Sequence, residues 1–166
     1  AAWGPVLVDA ASGRQFPSML PMRWRRRKVL LAAEERAVVD HLITSGCLFA
    51  LPALRRVGPF NEDLFIDYVD VEWCLRARRA GLSVLQVGGE RMAHSIGDAS
   101  IGLPGVRLAV HAPLRTYYQA RNGAWLARQQ ALPLPWRLND AWRSLQKLVL
   151  LLLLGGHKAE RLCQIV

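Results

Sequence analysis

The 166-residue sequence predicts an α/β fold followed by a helical C-terminal region. Two observations lead there. Short apolar runs suited to strands alternate with helix-forming segments through the N-terminal part of the chain, whereas helical patterns dominate after Pro113. Pro and Gly also punctuate the segments where helices begin and stop.

Taken in order, AAWGPVLVD reads as a buried strand, closed by a turn at Ser12 and Gly13. PMRWRRRK follows, with Arg23, Arg25, Arg26, Arg27 and Lys28 around Trp24. Such a cluster reads as a solvated loop, and contact with anionic lipid headgroups is the sharper alternative. VLLAAEERAVVD has a helical composition. Leu42 to Ala50 is rich in apolar and β-branched residues and reads as a buried strand ended by Pro52. PALRRVG is a short helix with Pro52 near its start and Gly58 as its stop.

Asp70 to Ala80 consists of good helix formers and closes on Gly81. LSVLQVGG and ERMAHSIGD read as two strands joined at Gly88 and Gly89, and GDASIGLPGVR as a mobile loop. A helix is predicted after Pro113, with Tyr117, Tyr118 and Trp125 placed to pack or to bind. The last helical region carries Trp136, Trp142 and the run Leu148 to Leu154. That run is far short of the roughly 20 residues that span a bilayer, so it lies in an interface or packs as a core helix. The domain expectation is therefore an α/β part over 1–110 and a helical, membrane-surface part over 111–166.

A hydrophobic fraction of 52% with 21% charged residues describes a packed protein and argues against disorder. The net charge of +9 favours an anionic partner. Nucleic acid is not expected, because no nucleic-acid motif is present and the Trp residues sit in apolar helical contexts. Cys47, Cys74 and Cys163 are odd in number and widely spaced, which fits a reducing, cytoplasmic setting. No leader pattern is seen at the start, and the chain is expected to be a piece of a longer protein.

The segment FIDYVDVEWCLR, Phe65 to Arg76, concentrates Asp67, Asp70 and Glu72 in a basic chain. One reading is local: Asp70 caps the following helix, Glu72 sits in its positive first turn, and Glu72 pairs with Arg76 four residues on. The other is chemical. The two aspartates lie at the mouth of a helix, after the small-residue turn Thr44-Ser45-Gly46-Cys47, where open α/β sheets present ligands. His94, 94 − 70 = 24 residues after Asp70, could return to the same edge as a metal-binding imidazole.

GPFNEDLFIDYVDVEWCLRARRAGLSV resembles the acceptor-side motif of family 2 glycosyltransferases of the GT-A fold, in the form found in bacterial rhamnosyltransferases. GPVLVD with its SGR turn and LITSGCLF precede it, and MAHSIGD and PLRTYYQARN follow it, in the matching order. The resemblance implies the C-terminal part of a GT-A-type open mixed sheet with flanking helices, followed by a helical region. It implies Asp70 as catalytic base, with Val69 where the family often has Glu and Asp67 as the nearby second carboxylate. Ser45, Gly46, Glu72 and Arg76 are the substrate-binding residues it implies, Arg76 acting mainly by ordering the carboxylates, and His94 is the metal contact.

The implied reaction is inverting transfer of a sugar, rhamnose from a dTDP-linked donor, to a hydroxyl of a lipid-linked or growing cell-surface glycan. A base takes the acceptor proton while a divalent metal, Mg²⁺ or Mn²⁺, and positive groups stabilise the departing nucleoside diphosphate. The nucleotide-binding half and its DxD-type motif are not expected within this sequence, so the chain alone is expected to be inactive. The location implied is cytoplasmic, peripheral at the inner face of the plasma membrane. A non-catalytic remnant, or a basic membrane-surface binding module, is the alternative.

Overall fold

A computed structural model describes residues 1–21, 27–95, 99–103, 106–129 and 134–154. The chain divides into two units, one of Ala1–Asp63 with Val69–Ser95, the other of Leu64–Tyr68 with Ile96–Val166. Most of the PMRWRRRK cluster and Cys163 lie outside the described residues; Arg27 and Lys28 lie in a strand.

The first unit is built on a four-stranded mixed sheet. Strand β1 (Ala2–Asp9) is followed by β2 (Ser18–Leu20) and β3 (Arg27–Val29), which form a separate antiparallel pair, then by β4 (Arg36–Val38) and β5 (Leu48–Phe49). The fourth sheet member, β6 (Val84–His94), completes the order β4-β6-β1-β5. β1 and β6 run parallel, and β4 and β5 are antiparallel to their neighbours. Helix α1 (Leu51–Val57) begins with Pro52 in its first turn and ends at Gly58, as its sequence signals predict. Helix α2 (Val69–Arg79) runs to a turn at Gly81, whose φ of 76° is the left-handed conformation glycine favours.

The helical reading of VLLAAEERAVVD does not hold. Val29 ends β3 and Arg36 begins β4, with a turn between them closed by Glu35, whose carboxylate accepts from the Ala32 N–H at 2.8 Å. Pairing with β6 overrides the helix propensity of the segment. The strand expected over Leu42–Ala50 shrinks to Leu48–Phe49, because the Thr44–Cys47 turn, with Gly46 at φ 69°, interrupts it.

The two strands expected in LSVLQVGG and ERMAHSIGD are one strand, β6, from Val84 to His94, with a bulge within it; Ile96, Gly97 and Asp98 lie outside the described residues. Pro5 faces Val87 but Val6 faces Arg91, so Gly88, Gly89 and Glu90 have no partner on β1. The bulge presses on the 32–35 turn: a Cβ at Gly88 would lie 1.8 Å from the Ala32 carbonyl oxygen. Gly88→Ala is expected to destabilise the fold by about 1–3 kcal/mol, read as a lowered urea midpoint at unchanged slope.

The core of this unit gathers Ala2, Val39, Leu42, Ala53, Trp73, Cys74, Ala77 and Val84. Trp73 is fully buried, its ring edge-on to Phe49 at 5.0 Å, and its Nε1–H donates to the Gly58 carbonyl at 2.9 Å. Arg78 pairs with the buried Asp40, tying α2 to the segment after β4.

The second unit holds a hairpin and two helices. The described residues of GDASIGLPGVR are strands and not a loop: β7 (Ala99–Leu103) and β8 (Val106–Val110) pair antiparallel, Leu103 facing Val106, while Gly97, Asp98, Pro104 and Gly105 lie outside the described residues. Helix α3 (Pro113–Arg128) starts at its proline as predicted, and α4 (Leu134–Leu154) takes in the leucine run. Among the described residues no helix is long and apolar enough to cross a membrane.

Candidate functional site

Asp70 lies in the first turn of α2 but does not cap it in the expected way. One carboxylate oxygen accepts from the Val71 N–H at 2.8 Å, and the other reaches back to the Thr44 N–H at 3.2 Å and the Thr44 hydroxyl at 3.4 Å. The turn that presents Thr44 favours glycine at Gly46, whose φ of 69° lies in the left-handed region that side chains with a Cβ rarely adopt. Burial pushes the Asp70 carboxyl above the ordinary carboxylate range, and these N–H donors offset only part of that push. The result is a partly buried carboxylate, held by backbone and hydroxyl donors with no cation among them, whose raised proton affinity suits a general base. Cys47 lies nearby, its thiol bonded to the Ile43 carbonyl at 2.9 Å and pushed up to about 11 by burial and by Asp70.

Glu72 and Arg76 form the expected pair four residues apart, two-pronged at 2.6 and 3.0 Å. Arg76 also donates to the carbonyls of Val57 at 2.6 Å and Pro59 at 2.7 Å. Its guanidinium therefore closes the end of α1 onto α2, and Glu72 is buried beneath it. These contacts hold the fold together and use most of the donor set of Arg76. Ser45 and Gly46 form the turn below Thr44.

His94 ends β6, and the parallel register sets it opposite Asp9, the last residue of β1. Asp9 folds back on its own turn, accepting from the Ala11 N–H at 3.2 Å and the Ser12 hydroxyl at 2.6 Å. Among the described residues no three His, Cys, Asp or Glu side chains gather as a metal site. Two donors at one sheet edge do not make up a divalent-metal ligand set, so no step is routed through a metal here.

In the second unit, Asp67 sits in a segment of unusual backbone. Phe65, Asp67 and Tyr68 have φ of 58°, 61° and 64°, a region costly for side chains with a Cβ. Asn122, fully buried on α3, holds this segment: its amide nitrogen donates to the carbonyls of Leu64, Ile66 and Asp67 at 2.8, 2.9 and 3.0 Å. The Tyr68 hydroxyl bonds Asp140 at 3.1 Å on α4, passing Gly123, where a Cβ would meet it at 3.3 Å.

The Asp67 carboxylate is gripped by Arg115 through two bonds of 2.9 Å, and Gln119 adds a third at 3.1 Å. Lys147 in turn holds the Gln119 oxygen at 2.6 Å. Burial alone would raise the Asp67 carboxyl, but Arg115, aided by Gln119 and His111, holds it below the ordinary value. A bidentate ion pair of this kind suits a positioning role and opposes proton uptake.

The structure thus sets the two aspartates in contrasting environments. Sequence reasoning named Asp70, Asp67 and the 44–47 turn, but missed Thr44 as the partner of Asp70 and Asn122, Arg115 and Gln119 as the frame of the 64–68 segment. The RTYYQARN motif contains the last three, and its polar residues at helical spacing were the available signal.

No family model and no solved structure matches the chain. Against curated proteins, 159 residues are 31% identical to the dTDP-rhamnosyl transferase RfbF of Shigella flexneri, covering 95% of this chain and 54% of that protein. The chain spans about half the length of that relative, and over nearly all of its own length it is similar to a rhamnosyltransferase.

Proposed function

We propose that this chain is the acceptor-side, base-carrying part of an inverting glycosyltransferase of family 2 and GT-A type, moving rhamnose from dTDP-rhamnose to a glycan hydroxyl. The observation that carries the reading is the partly buried Asp70 carboxylate, anchored by Thr44 and Val71 at the head of α2, in a chain 31% identical to a dTDP-rhamnosyl transferase. The acceptor oxygen attacks the anomeric carbon, the bond to the diphosphate oxygen breaks, and the acceptor proton passes to Asp70. Asp67, committed to Arg115, positions and does not take the proton. A divalent cation, Mg²⁺ or Mn²⁺, would offset the charge of the departing diphosphate, and His94 is the one residue here proposed to contact it. The test is transfer from dTDP-rhamnose by an active enzyme carrying this chain, with the anomer of the product read by NMR. Retention of configuration, or no dependence on Asp70, would overturn the reading.

A peripheral contact with the inner membrane surface, where lipid-linked acceptors reside, belongs to the same proposal. Leu134, Leu138, Trp142, Leu145 and Val149 are all exposed along α4 at helical spacing, and Arg143 is exposed beside them. Vesicles containing phosphatidylglycerol are expected to pull the chain down in sedimentation, and Trp142→Ser with Leu138→Ser to weaken this about tenfold or more. Equal sedimentation of the double variant would show that this face is not the contact.

A further inference from the structure

Phe65 is 70% exposed, yet its backbone is held at a φ of 58°. Strained backbone persists only where surrounding contacts impose it, and it concentrates where a side chain must be presented. Here the contacts are those of Asn122, and the presented side chain is a large aromatic ring turned to solvent.

That ring has neighbours within the second unit. Its centroid lies 5.0 Å from that of Tyr118, with the planes tilted by 44°, and Tyr117 stands edge-on to Tyr118 at 5.2 Å. Arg121 lies over the Tyr118 ring, 4.7 Å from its centroid, and its Nε–H donates to the Asn122 side-chain oxygen at 3.0 Å. One buried asparagine therefore fixes both halves: its nitrogen shapes the loop bearing Phe65, and its oxygen orients the guanidinium over Tyr118. The three carbonyls around that nitrogen leave no doubt which end of the amide is which.

From this arrangement we infer that Phe65, Tyr117 and Tyr118 form a carbohydrate platform that receives a sugar ring of the acceptor glycan. The inference rests on the glycosyl-transfer reading and names where the acceptor lies. Sugar rings present C–H bonds made slightly positive by neighbouring oxygens, and these suit the negative faces of aromatic rings. Hydroxyls around the ring edge then meet the polar rims that tyrosine and arginine supply. A hydrocarbon chain fits less well, because covering the platform with it would strip water from two phenol groups without replacing their hydrogen bonds.

The test is a chemical-shift titration of the isotope-labelled 166-residue chain with a rhamnose-terminated oligosaccharide, and separately with dTMP. Shifts are expected at Phe65, Tyr118 and Arg121 with the oligosaccharide. Phe65→Ala and Tyr118→Ala are each expected to raise the Kd about 3- to 10-fold, whereas Phe65→Trp keeps it near the original value. The amide spectrum shows whether each variant is folded. No shifts with the oligosaccharide, an unchanged Kd in both alanine variants, or shifts at the platform with dTMP alone would overturn the proposal. In an active enzyme, Phe65→Ala raises the acceptor KM and leaves the donor KM unchanged. If Asp70→Asn abolishes transfer while Phe65→Ala leaves the acceptor KM unmoved, the platform fails and the transferase reading stands. If the oligosaccharide binds at the platform but dTDP-rhamnose is not a donor, the transferase reading fails and the platform stands.

Discussion

Asp70→Asn in an active enzyme carrying this chain is expected to lower kcat about 10²- to 10⁴-fold while leaving the affinity for dTDP unchanged. The amide fits the same space, but its one oxygen can accept from only one of the Val71 and Thr44 N–H groups that the two carboxylate oxygens serve, so the circular-dichroism spectrum and urea midpoint of the variant are compared with the parent alongside the assay. What it cannot do is take a proton from an attacking hydroxyl. Burial raises the Asp70 carboxyl above its ordinary value of 3.8, so the acid limb of kcat/KM should lie above that value and vanish in the residual activity of the variant. Activity within tenfold of the parent enzyme would remove Asp70 from the role.

The two aspartates also pull stability in opposite directions with pH. For Asp70, raised in the fold, the contribution is complete below the ordinary carboxylate value and is lost as pH climbs through the folded one. For Asp67, lowered by Arg115, it is present above the ordinary value and lost as pH falls through the folded one. Acid unfolding should therefore track Asp67.

The second large effect is expected at Asn122. Asn122→Leu keeps roughly the same volume but removes the donors to three carbonyls and the acceptor for Arg121. Leaving buried carbonyls without partners, in a segment whose backbone is already unfavourable, should cost about 2–4 kcal/mol. The measurement is urea unfolding of the variant beside the parent chain. A shift in the midpoint worth under about 1 kcal/mol would mean that the loop holds its shape without Asn122.

Much of the architecture could be read from residue types. Pro52 and Pro113 opened helices, Gly58 and Gly81 closed them, and the acidic motif led to Asp70. Failures arose where tertiary pairing decided. The Ala and Glu residues of VLLAAEERAVVD favour a helix locally, but β6 needed an edge partner and took Arg36–Val38 as a strand. The glycines and proline of GDASIGLPGVR mark a turn equally well in a loop and in a hairpin, and only the pairing of β7 with β8 distinguishes them. At the site, spacing exposed charges but not their partners. Thr44 and Asp70 are 26 residues apart, and Asn122 reaches carbonyls 55 to 58 residues earlier, distances at which no periodicity operates.

The parallel register of β1 with β6 carries a consequence for how the chain acquires its shape. Ala2 pairs with Val84, so a central strand of the sheet waits for a neighbour that lies more than eighty residues later in the chain. Closing so long a loop costs entropy before any ladder bond repays it, and parallel pairing of this kind is slow. During synthesis the apolar β1 emerges well before the strand that will cover its edge. That interval, more than the finished fold, is when this protein is most exposed to misassociation.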